Sequence, residues 1–499
     1  MKSLFGSFAG LLIFIFLISF SKIYAQNETD ALRVTFPGLG ISARALGMGN
    51  SYIGLSDDAS AAYFNPAGLG LLKKIEISGG LNYDKFNNNT TFFDQNSSES
   101  NSSTRFNRIS LAIPFPTYQG SLVLGVSYYT TTDLTGALKF NGFNSGDNSY
   151  IRYLSLNNDN IPYDLYLSYP LYDNQNNYIK DTTNIFGNLN QNGSTLSSGS
   201  INNWAFTGAI EVYKNLYVGL DLNIIHGSYN SNNDYYEVDS QNQYQGQVVP
   251  ADPNSPVDFQ TFYLNRILDW NITGWDAKLG ILYQANDNTR VGLTVQFPKY
   301  HTIKENFTVN GSSTFGSGVT YTLDPSNYSS NVKYDIVSPF ELGGGLSVNL
   351  KGLILSGQAT LIDYSQTEFR NPDGLSEQYI ASINKNIKDL LRAVVNFNAG
   401  LEYTIPDMGL RLRGGFIYQP SPYQGDPSQY DRKYITAGIG FLADKTVGID
   451  VGYAHGWWKD YGDNYPNYDQ NGNPIGGSVS RTYQDLTKDR LTIDMTYRF

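Results

Sequence analysis

The side chains that most often carry catalysis or bind metals are scarce in this chain. It has 499 residues, only three histidines and no cysteine. His226, His301 and His455 stand far apart in the sequence, and no two of them have a spacing typical of metal ligands. No serine lies in a nucleophile motif that a histidine could activate. We therefore expect no catalytic residue, no metal and no cofactor, and we expect the protein not to be an enzyme.

Two segments carry apolar side chains that could bind a hydrophobic ligand. In residues 256–270 such side chains recur at helical spacing, and the ligand-binding candidates are Phe259, Phe262, Tyr263 and Ile267. A second helix is predicted behind Ser376, with one stripe formed by Ile380, Ile383, Ile387 and Leu391. Either face could instead pack its segment onto the rest of the protein.

Residues 26–74 contain many glycines and other small residues. Ser56 predicts the cap of a short helix, with the acidic pair Asp57–Asp58 in its first turn and residues 59–64 continuing it. Asn65 should leave the helix, because the residue before Pro66 is pushed toward extended geometry. A compact segment of this kind suits a plug, and the alternative is a periplasmic extension that docks to another protein.

The first 25 residues predict a secretory signal peptide. A basic residue at Lys2 precedes an apolar run over residues 11–20, and Ala25 stands before Gln26, where the mature chain should begin. The alternative is a membrane anchor, but the apolar run is short and no second one follows it.

The last nine residues alternate strictly between apolar and polar side chains and end on Phe499. Similar segments of about ten residues recur along the chain, and together with the last they number fourteen. They are residues 75–84, 106–115, 122–129, 204–212, 216–224, 275–283, 291–297, 340–348, 353–361, 395–403, 410–418, 437–441, 447–453 and 491–499.

The connections between these segments alternate between short turns and long polar loops. The turns include Asn286–Asp287–Asn288 and Asp444–Lys445, and the loops are residues 85–105, 131–202, 228–272, 300–338, 364–393, 419–432 and 457–487. A bacterial outer-membrane barrel has this arrangement, with every long loop outside the cell. We therefore predict an all-β fold: a 14-stranded antiparallel transmembrane β-barrel over residues 75–499, with a small hatch of short helices over residues 26–74. A soluble β-sandwich is the alternative.

Composition agrees with a barrel and excludes other classes. Mean hydropathy is −0.33 with 39 tyrosines and 27 phenylalanines, which is too polar for a helical membrane protein. The net charge is −11, and it becomes −13 once Lys2 and Lys22 leave with a signal peptide that contains no acidic residue. Such a balance argues against nucleic acid as a partner.

Several motifs resemble the FadL/TodX family of outer-membrane transporters for long-chain fatty acids and hydrocarbons. The strongest is Asn65–Pro66–Ala67–Gly68, preceded by residues 42–49 and by Asp57–Asp58–Ala59. Further matches are residues 360–365, 398–403, 411–415 and 420–422 and the closing strand, so the resemblance reaches along the mature chain, while the long loops match nothing.

The resemblance implies a monomer in the bacterial outer membrane that passes a hydrophobic small molecule or fatty acid, with Asn65, Pro66 and Ala67 holding the hatch closed and Gly68 as a further hatch residue. It also implies release into the outer-membrane lipid through a side opening at a kinked strand. We place that kink at Gly125, since glycine within a strand often marks a bend. PorV-type barrels, which receive secreted proteins in type IX secretion, share the hatch motif and give the alternative function.

The closing strand also resembles the signal that the barrel-assembly machinery reads in outer-membrane proteins. Tyr497 and Phe499 would carry that signal.

Overall fold

The computed structural model describes residues 26–250, 252–443, 446–469, 474–475 and 480–499. The predicted signal peptide and the predicted turn at Asp444–Lys445 lie outside the described residues. None of the α-helices in the described part of the chain is long and apolar enough to cross a membrane.

Fourteen antiparallel strands form a closed ring, in which neighbouring strands pair and the last strand pairs back onto the first. The first seven are β1 Glu76–Phe92, β2 Gln95–Phe115, β3 Leu122–Asp133, β4 Leu189–Tyr213, β5 Leu216–Val238, β6 Phe259–Asn286 and β7 Thr289–Gln296, which continues as Tyr300–Phe315. The others are β8 Ser330–Val337 continued as Glu341–Leu350, β9 Leu353–Asp363 continued as Glu368–Asp373, β10 Ala393–Thr404, β11 Leu410–Gln419, β12 Arg432–Ala443, β13 Val447–Asp463 and β14 Arg481–Arg498.

Alternation of side chains decides which face of each strand points outward. On β14, Leu491, Ile493 and Met495 are exposed, whereas Thr492 and Asp494 are buried inside the ring. Because the side-chain period of a strand is two, a slip of one residue would place the apolar set in the bore. The register between β1 and β14 runs unbroken from Glu76–Arg498 to Thr91–Tyr483. The predicted barrel and its strand count are confirmed.

The strands on one side of the barrel are much longer than a membrane requires. β4, β5 and β6 have 25, 23 and 28 residues, whereas about 9–11 residues span a bilayer. Much of the sequence that we assigned to long loops is therefore strand, and residues 85–105 form a hairpin that turns at Phe93–Asp94. The outer parts of β4 and β5 carry few aliphatic side chains, and in the outer part of β6 the apolar side chains do not alternate strictly, so hydrophobic alternation does not reveal these extensions.

A compact cap closes the extracellular end of the bore. It comprises residues 134–188, with a strand Gly136–Asn144 that pairs with β4, helices α4 Tyr150–Leu156 and α5 Asn160–Asp164, and a hairpin of Tyr169–Tyr172 and Tyr178–Thr182. Buried side chains of the cap pack on inward-facing residues of β6 and β7. Those of the cap include Ile151, Leu154, Ile161 and Leu165, and those of the strands include Phe259, Phe262, Val309 and Phe315.

The helix predicted behind Ser376 is present as α6 Glu377–Leu390, numbered after the three N-terminal helices and those of the cap. The Ser376 side chain accepts a hydrogen bond from the backbone of Tyr379. Ile380, Ile383 and Ile387 are buried. Shorter pieces elsewhere are strands Thr320–Thr322, Asn467–Tyr468 and Pro474–Ile475 and 3₁₀ turns Pro325–Asn327 and Tyr364–Gln366.

The N-terminal residues lie inside the ring as helices α1 Glu28–Thr35, α2 Ala43–Gly47 and α3 Ala61–Phe64, followed by a 3₁₀ helix Pro66–Leu71. We call residues 26–38 the leading segment and residues 39–72 the hatch. The predicted cap at Ser56 is wrong, since its φ is +27° and α3 begins only at Ala61. Asn65 leaves the helix as predicted, with φ −152° and ψ 101°.

Candidate functional site

Asn65 ties the hatch to the barrel wall. Its side-chain amide donates to the Ile53 carbonyl at 2.9 Å and to the Ile281 carbonyl of β6 at 3.1 Å. Its side-chain oxygen accepts from the backbone of Ala67 at 3.2 Å. Every polar atom of this buried side chain is therefore used, and one residue links two parts of the hatch and one strand. Pro66, Ala67 and Gly68 are buried beside it.

Glycines in the wall give the hatch room to lie directly on the strands. A Cβ on Gly219 of β5 would overlap the Pro66–Ala67 backbone, and one on Gly280 of β6 would overlap the Asn65 side chain. Gly292 of β7 faces the Ile53 carbonyl in the same way. A side chain at any of these positions would push the hatch away from the wall.

A buried ion network holds the other side of the hatch. The Arg44 guanidinium donates to both carboxylate oxygens of Glu402 on β10 at 2.9 Å and to Asp57 at 2.5 Å. Arg413 reaches the same Glu402 at 2.6 Å, and Arg290 of β7 reaches Asp57 at 3.1 Å. Such bidentate pairing fixes geometry as well as energy.

The two carboxylates predicted to start a helix instead serve this network. Burial raises the pKa of Asp57, but Arg44 and Arg290 outweigh it, so the pKa lies well below its usual 3.8. Asp58 accepts from the Tyr52 hydroxyl and from the backbone of Ser60. These contacts explain why the helix expected at Ser56 does not form there.

Two small adjoining cavities lie in the bore above the hatch, with volumes of about 100 and 50 Å³. Their shared lining is polar and charged: Tyr63, Lys278, Gln296 and Glu341, with Pro37 and Gly38 of the leading segment. Lys299 pairs with Glu341 at 2.7 Å. Lys278 donates to the backbone carbonyl of Tyr63 and lies over its ring, yet in the described part of the chain it has no ion-pair partner.

The bore above these cavities is apolar and is filled by the protein itself. Ala31, Leu32 and Val34 of α1 are buried in a cluster with inward-facing residues of β4 to β9 and with α6. Members of that cluster include Ile201, Ile225, Trp270, Ile272, Ile303, Tyr334, Ile336 and Ile362. The leading segment thus occupies an apolar space inside the barrel that the strands and α6 would otherwise enclose.

The ladder between β2 and β3 stops partway along both strands. Their pairing runs from Phe115–Leu122 up to Arg108–Tyr129 and stops there, although both strands continue. Each strand carries a bulge at that height, since Asn107 has no partner in β1 and Thr131 has none in β4. Bulges bend strands and interrupt ladders. We call this place the seam.

Side chains and the leading segment close the seam. Asp133 accepts from Ser103 at 2.7 Å and from Arg105 at 2.9 Å across it. On the inside, Asn107 donates to the Ile41 carbonyl of the hatch at 2.7 Å, and Gly38 lies directly against the Thr131 carbonyl. The smaller cavity is lined by Tyr129 and Thr131, so it ends at the seam.

No register shift marks Gly125, where we predicted a bend. Gly125 pairs with Ala112 and Thr207 without a shift in register, and it faces Leu69 of the hatch. The irregularity of β3 lies six residues further along, at Thr131, where a threonine gives no signal in the sequence. Whether any part of β3 forms a side opening stays a prediction.

The predicted ligand-binding helix is also wrong, because residues 259–270 belong to β6 and pair on both sides with β5 and β7. Phe259 and Phe262 are fully buried under the cap. Tyr263 points to the other face of the strand, where it stacks on Tyr236 and donates to Asp234. Ile267 lies on the same face of the strand as Tyr263. Phe259 and Phe262 on one face and Tyr263 and Ile267 on the other therefore share no surface. Pairing along a long strand overrides the helical spacing.

At the C-terminus, Tyr497 and Phe499 are exposed on the outer face with ring centroids 5.4 Å apart. Phe499 also exchanges backbone hydrogen bonds with Ile75, which closes the ring at its periplasmic end. Their role as an assembly signal stays a prediction.

No group of three histidine, aspartate or glutamate side chains within the described ranges could hold a metal ion. His455, at the middle of β13, contacts Asp489 of β14 at 2.8 Å.

Comparison with known proteins agrees with this geometry. A family model described as outer membrane protein transport protein (OMPP1/FadL/TodX) matches residues 39–499. A solved Pseudomonas aeruginosa FadL homologue is 12% identical with a TM-score of 0.56, and the match covers 93% of this chain and 99% of that one. The P. putida toluene transporter TodX is 13% identical with a TM-score of 0.53, covering 93% and 99%. No curated protein matches the sequence. At these identities the structural likeness concerns the fold.

Proposed function

The chain belongs to the outer membrane protein transport family (OMPP1/FadL/TodX), and we propose that it takes up long-chain fatty acids by passive diffusion through its plugged bore. It is accordingly an outer-membrane protein, and the family is one of transporters, not enzymes. A protein in this family could pass either bare hydrocarbons or amphiphiles. The observation that favours a fatty acid is the ammonium group of Lys278.

Lys278 lies at the border between the apolar bore and the polar floor above the hatch. Buried charges are normally paired, because removing an ammonium group from water is costly. Lys299 pairs with Glu341 at 2.7 Å. Among the described residues no carboxylate lies within ion-pair distance of Lys278, which contacts a backbone carbonyl and a ring, and Glu341 and Asp276 act on its charge from farther away. A ligand carboxylate would complete its contacts, with the acyl chain in the apolar cluster above. A bare hydrocarbon has no group that could pair with this ammonium.

The leading segment must move for such a ligand to bind. The two cavities have volumes of about 100 and 50 Å³, whereas sites for drug-sized ligands span about 300–1,000 Å³. The apolar space that would suit an acyl chain is held by Ala31, Leu32 and Val34 of α1. The structure is therefore a closed state, and the ligand replaces α1 in the apolar cluster.

Release into the membrane would follow through the seam. The smaller cavity ends there, the ladder between β2 and β3 is already interrupted there, and only side chains and the leading segment close it. Movement of the leading segment for ligand binding would also withdraw Gly38 from Thr131. The seam replaces Gly125 as our proposed side opening.

The test is binding and uptake by a Lys278→Met variant, which keeps the length of the side chain and removes its charge. Loss of one charge-assisted hydrogen bond is worth about 1.5–3 kcal/mol, so we expect fatty-acid affinity to fall roughly tenfold or more. Uptake of an alkane of equal chain length should not change. Titration of the purified barrel with a fluorescent fatty acid measures the first, and uptake by whole cells measures both.

Lys304→Met is the matched control, because Lys304 is exposed on the outer face of β7. Equal fatty-acid affinity in Lys278→Met and the wild type would reject the proposed site.

A second candidate function, the docking of secreted proteins, is favoured by the cap. Its hairpin exposes Leu171, Tyr172, Tyr178 and Ile179 to solvent, and clustered apolar side chains on a surface often mark a protein interface. Purification for the binding assay in mild detergent separates the two functions. Retained fatty acid supports uptake, and a stoichiometric soluble protein supports docking.

A further inference from the structure

Glu305 is a buried carboxylate in the upper bore that the proposed uptake does not use. It lies on the outer part of β7 and is 1% exposed. One oxygen accepts from the Trp270 indole at 2.9 Å and from the Tyr334 hydroxyl at 2.7 Å. The other accepts from the side-chain amide of Gln26. All three donors are neutral groups.

No cation pairs with Glu305 among the described residues. Arg33, the one basic residue of α1, has its guanidinium on Asp30 and over the rings of Tyr229 and Trp270. A carboxylate buried without a positive partner is costly unless a charge or a further donor arrives. Glu305 therefore requires a positive group from elsewhere in the mature protein if it is ionised.

Gln26 is the residue that reaches Glu305, and it is also the residue that signal-peptide removal would make the N-terminus. It is 4% exposed, its carbonyl accepts from the Tyr379 hydroxyl of α6 at 2.7 Å, and its side-chain oxygen has no hydrogen-bond partner. Cleavage after Ala25 would create an ammonium group on this buried residue. A new charge at such a site also needs a partner.

We propose that Glu305 is the binding site for the mature N-terminus of the chain, whose α-ammonium group pairs with the carboxylate. The two unpaired charges then satisfy each other, and neither remains buried alone. Capture of a terminal amine is a known mode of recognition between chain segments. Here it would anchor α1 in the bore as a consequence of processing. The proposal does not depend on which compound the barrel passes.

Amine labelling of the folded protein in outer-membrane vesicles tests the proposed pairing of the N-terminus with Glu305. An amine-reactive reagent at neutral pH, followed by mass spectrometry of the N-terminal peptide, reports how accessible the α-amine is. We expect Gln26 to be the first residue, with a free amine that labels roughly tenfold more slowly in the folded protein than after unfolding. Glu305→Gln should remove this protection, and Glu305→Asp should retain most of it.

Glu368→Gln is the control, since Glu368 is partly exposed and already paired with Arg370. Gel migration before and after heating shows whether each variant is folded. If Glu305→Gln does not fold, the wild type alone decides by its folded and unfolded labelling rates. Equal rates contradict the proposal. So does a first residue other than Gln26, or a Gln26 that has cyclised with loss of ammonia, because neither leaves an ammonium group there.

Discussion

Single polar residues hold the hatch where it meets the wall. Asn65 makes three hydrogen bonds from one buried side chain, and two of them end on the carbonyls of Ile53 and Ile281. Removing a donor from a buried acceptor typically costs about 1–3 kcal/mol. Losing these bonds would weaken the attachment of the hatch to the wall and would leave the barrel itself stable, since the strands retain their own backbone hydrogen bonds.

We expect Asn65→Ala to loosen the hatch without unfolding the barrel. A loss of about 1–3 kcal/mol corresponds to roughly a fivefold to hundredfold rise in the unseated population. Planar-bilayer recordings should show more frequent ion-conducting openings than the wild type, at an unchanged temperature of barrel unfolding. Asn96→Ala, at the exposed tip of the first hairpin, should behave as the wild type. An Asn65→Ala protein as silent as the wild type would show that this residue does not hold the plug.

The sequence identifies residues such as Asn65 through their motif, but it leaves others unmarked. Asp276 and Lys278 occupy alternate positions opposite the apolar face of β6, which could have marked them as inward-facing charges. What alternation cannot show is that, among the described residues, no carboxylate lies within ion-pair distance of Lys278, because its neighbours come from β7 and β8 and from the hatch. The same applies to Glu305, whose contacts come from three separate segments.

Strands are predictable where one face touches hydrocarbon and the other does not. That contrast produces the period of two, and it allowed the count of fourteen and most of the short turns to be read directly. Above the membrane the contrast disappears, so the outer halves of β4, β5 and β6 were assigned to loops. In those outer halves the strands are held by backbone hydrogen bonds, without an apolar outer face. In residues 259–270 the chance spacing of aromatic residues suggests a helix that does not form.

The seam between β2 and β3 gives the element-scale prediction. The side chains of Ser103 and Asp133 are 2.7 Å apart across it. Because the chain has no cysteine, Ser103→Cys combined with Asp133→Cys can form only this disulfide. We expect the oxidised double variant to lose fatty-acid uptake and to regain it on reduction, while either single variant is insensitive to reductant. Normal uptake by the fully oxidised protein would place the exit elsewhere.

Across the whole molecule, hatch and barrel are joined by opposite charges. Arg44 of the hatch meets Glu402 of β10, and Asp57 of the hatch meets Arg290 of β7. The pKa of Asp57 is lowered in the folded protein because its two arginine partners outweigh the effect of burial. A carboxyl group with a lowered folded pKa stabilises the folded state above its usual pKa and loses that contribution as the pH falls.

The hatch should therefore release in acid. Stabilisation by Asp57 is complete above its usual pKa of 3.8 and declines as the pH falls below it. Conductance of the wild type in planar bilayers should rise over that range. Asp57→Asn should show higher conductance already at neutral pH and a weaker response to acid. Identical acid responses of the two proteins would mean that other groups control release.

The closed ends of the bore limit the passage of water, ions and polar solutes through the barrel. The hatch seals the periplasmic end through buried contacts, and the cap seals the outer end through a packed apolar cluster. Among the described residues, packed side chains thus fill both ends of the bore. We therefore expect a cell that makes this protein to gain a route for hydrophobic molecules without becoming leaky to salts, sugars or other polar solutes.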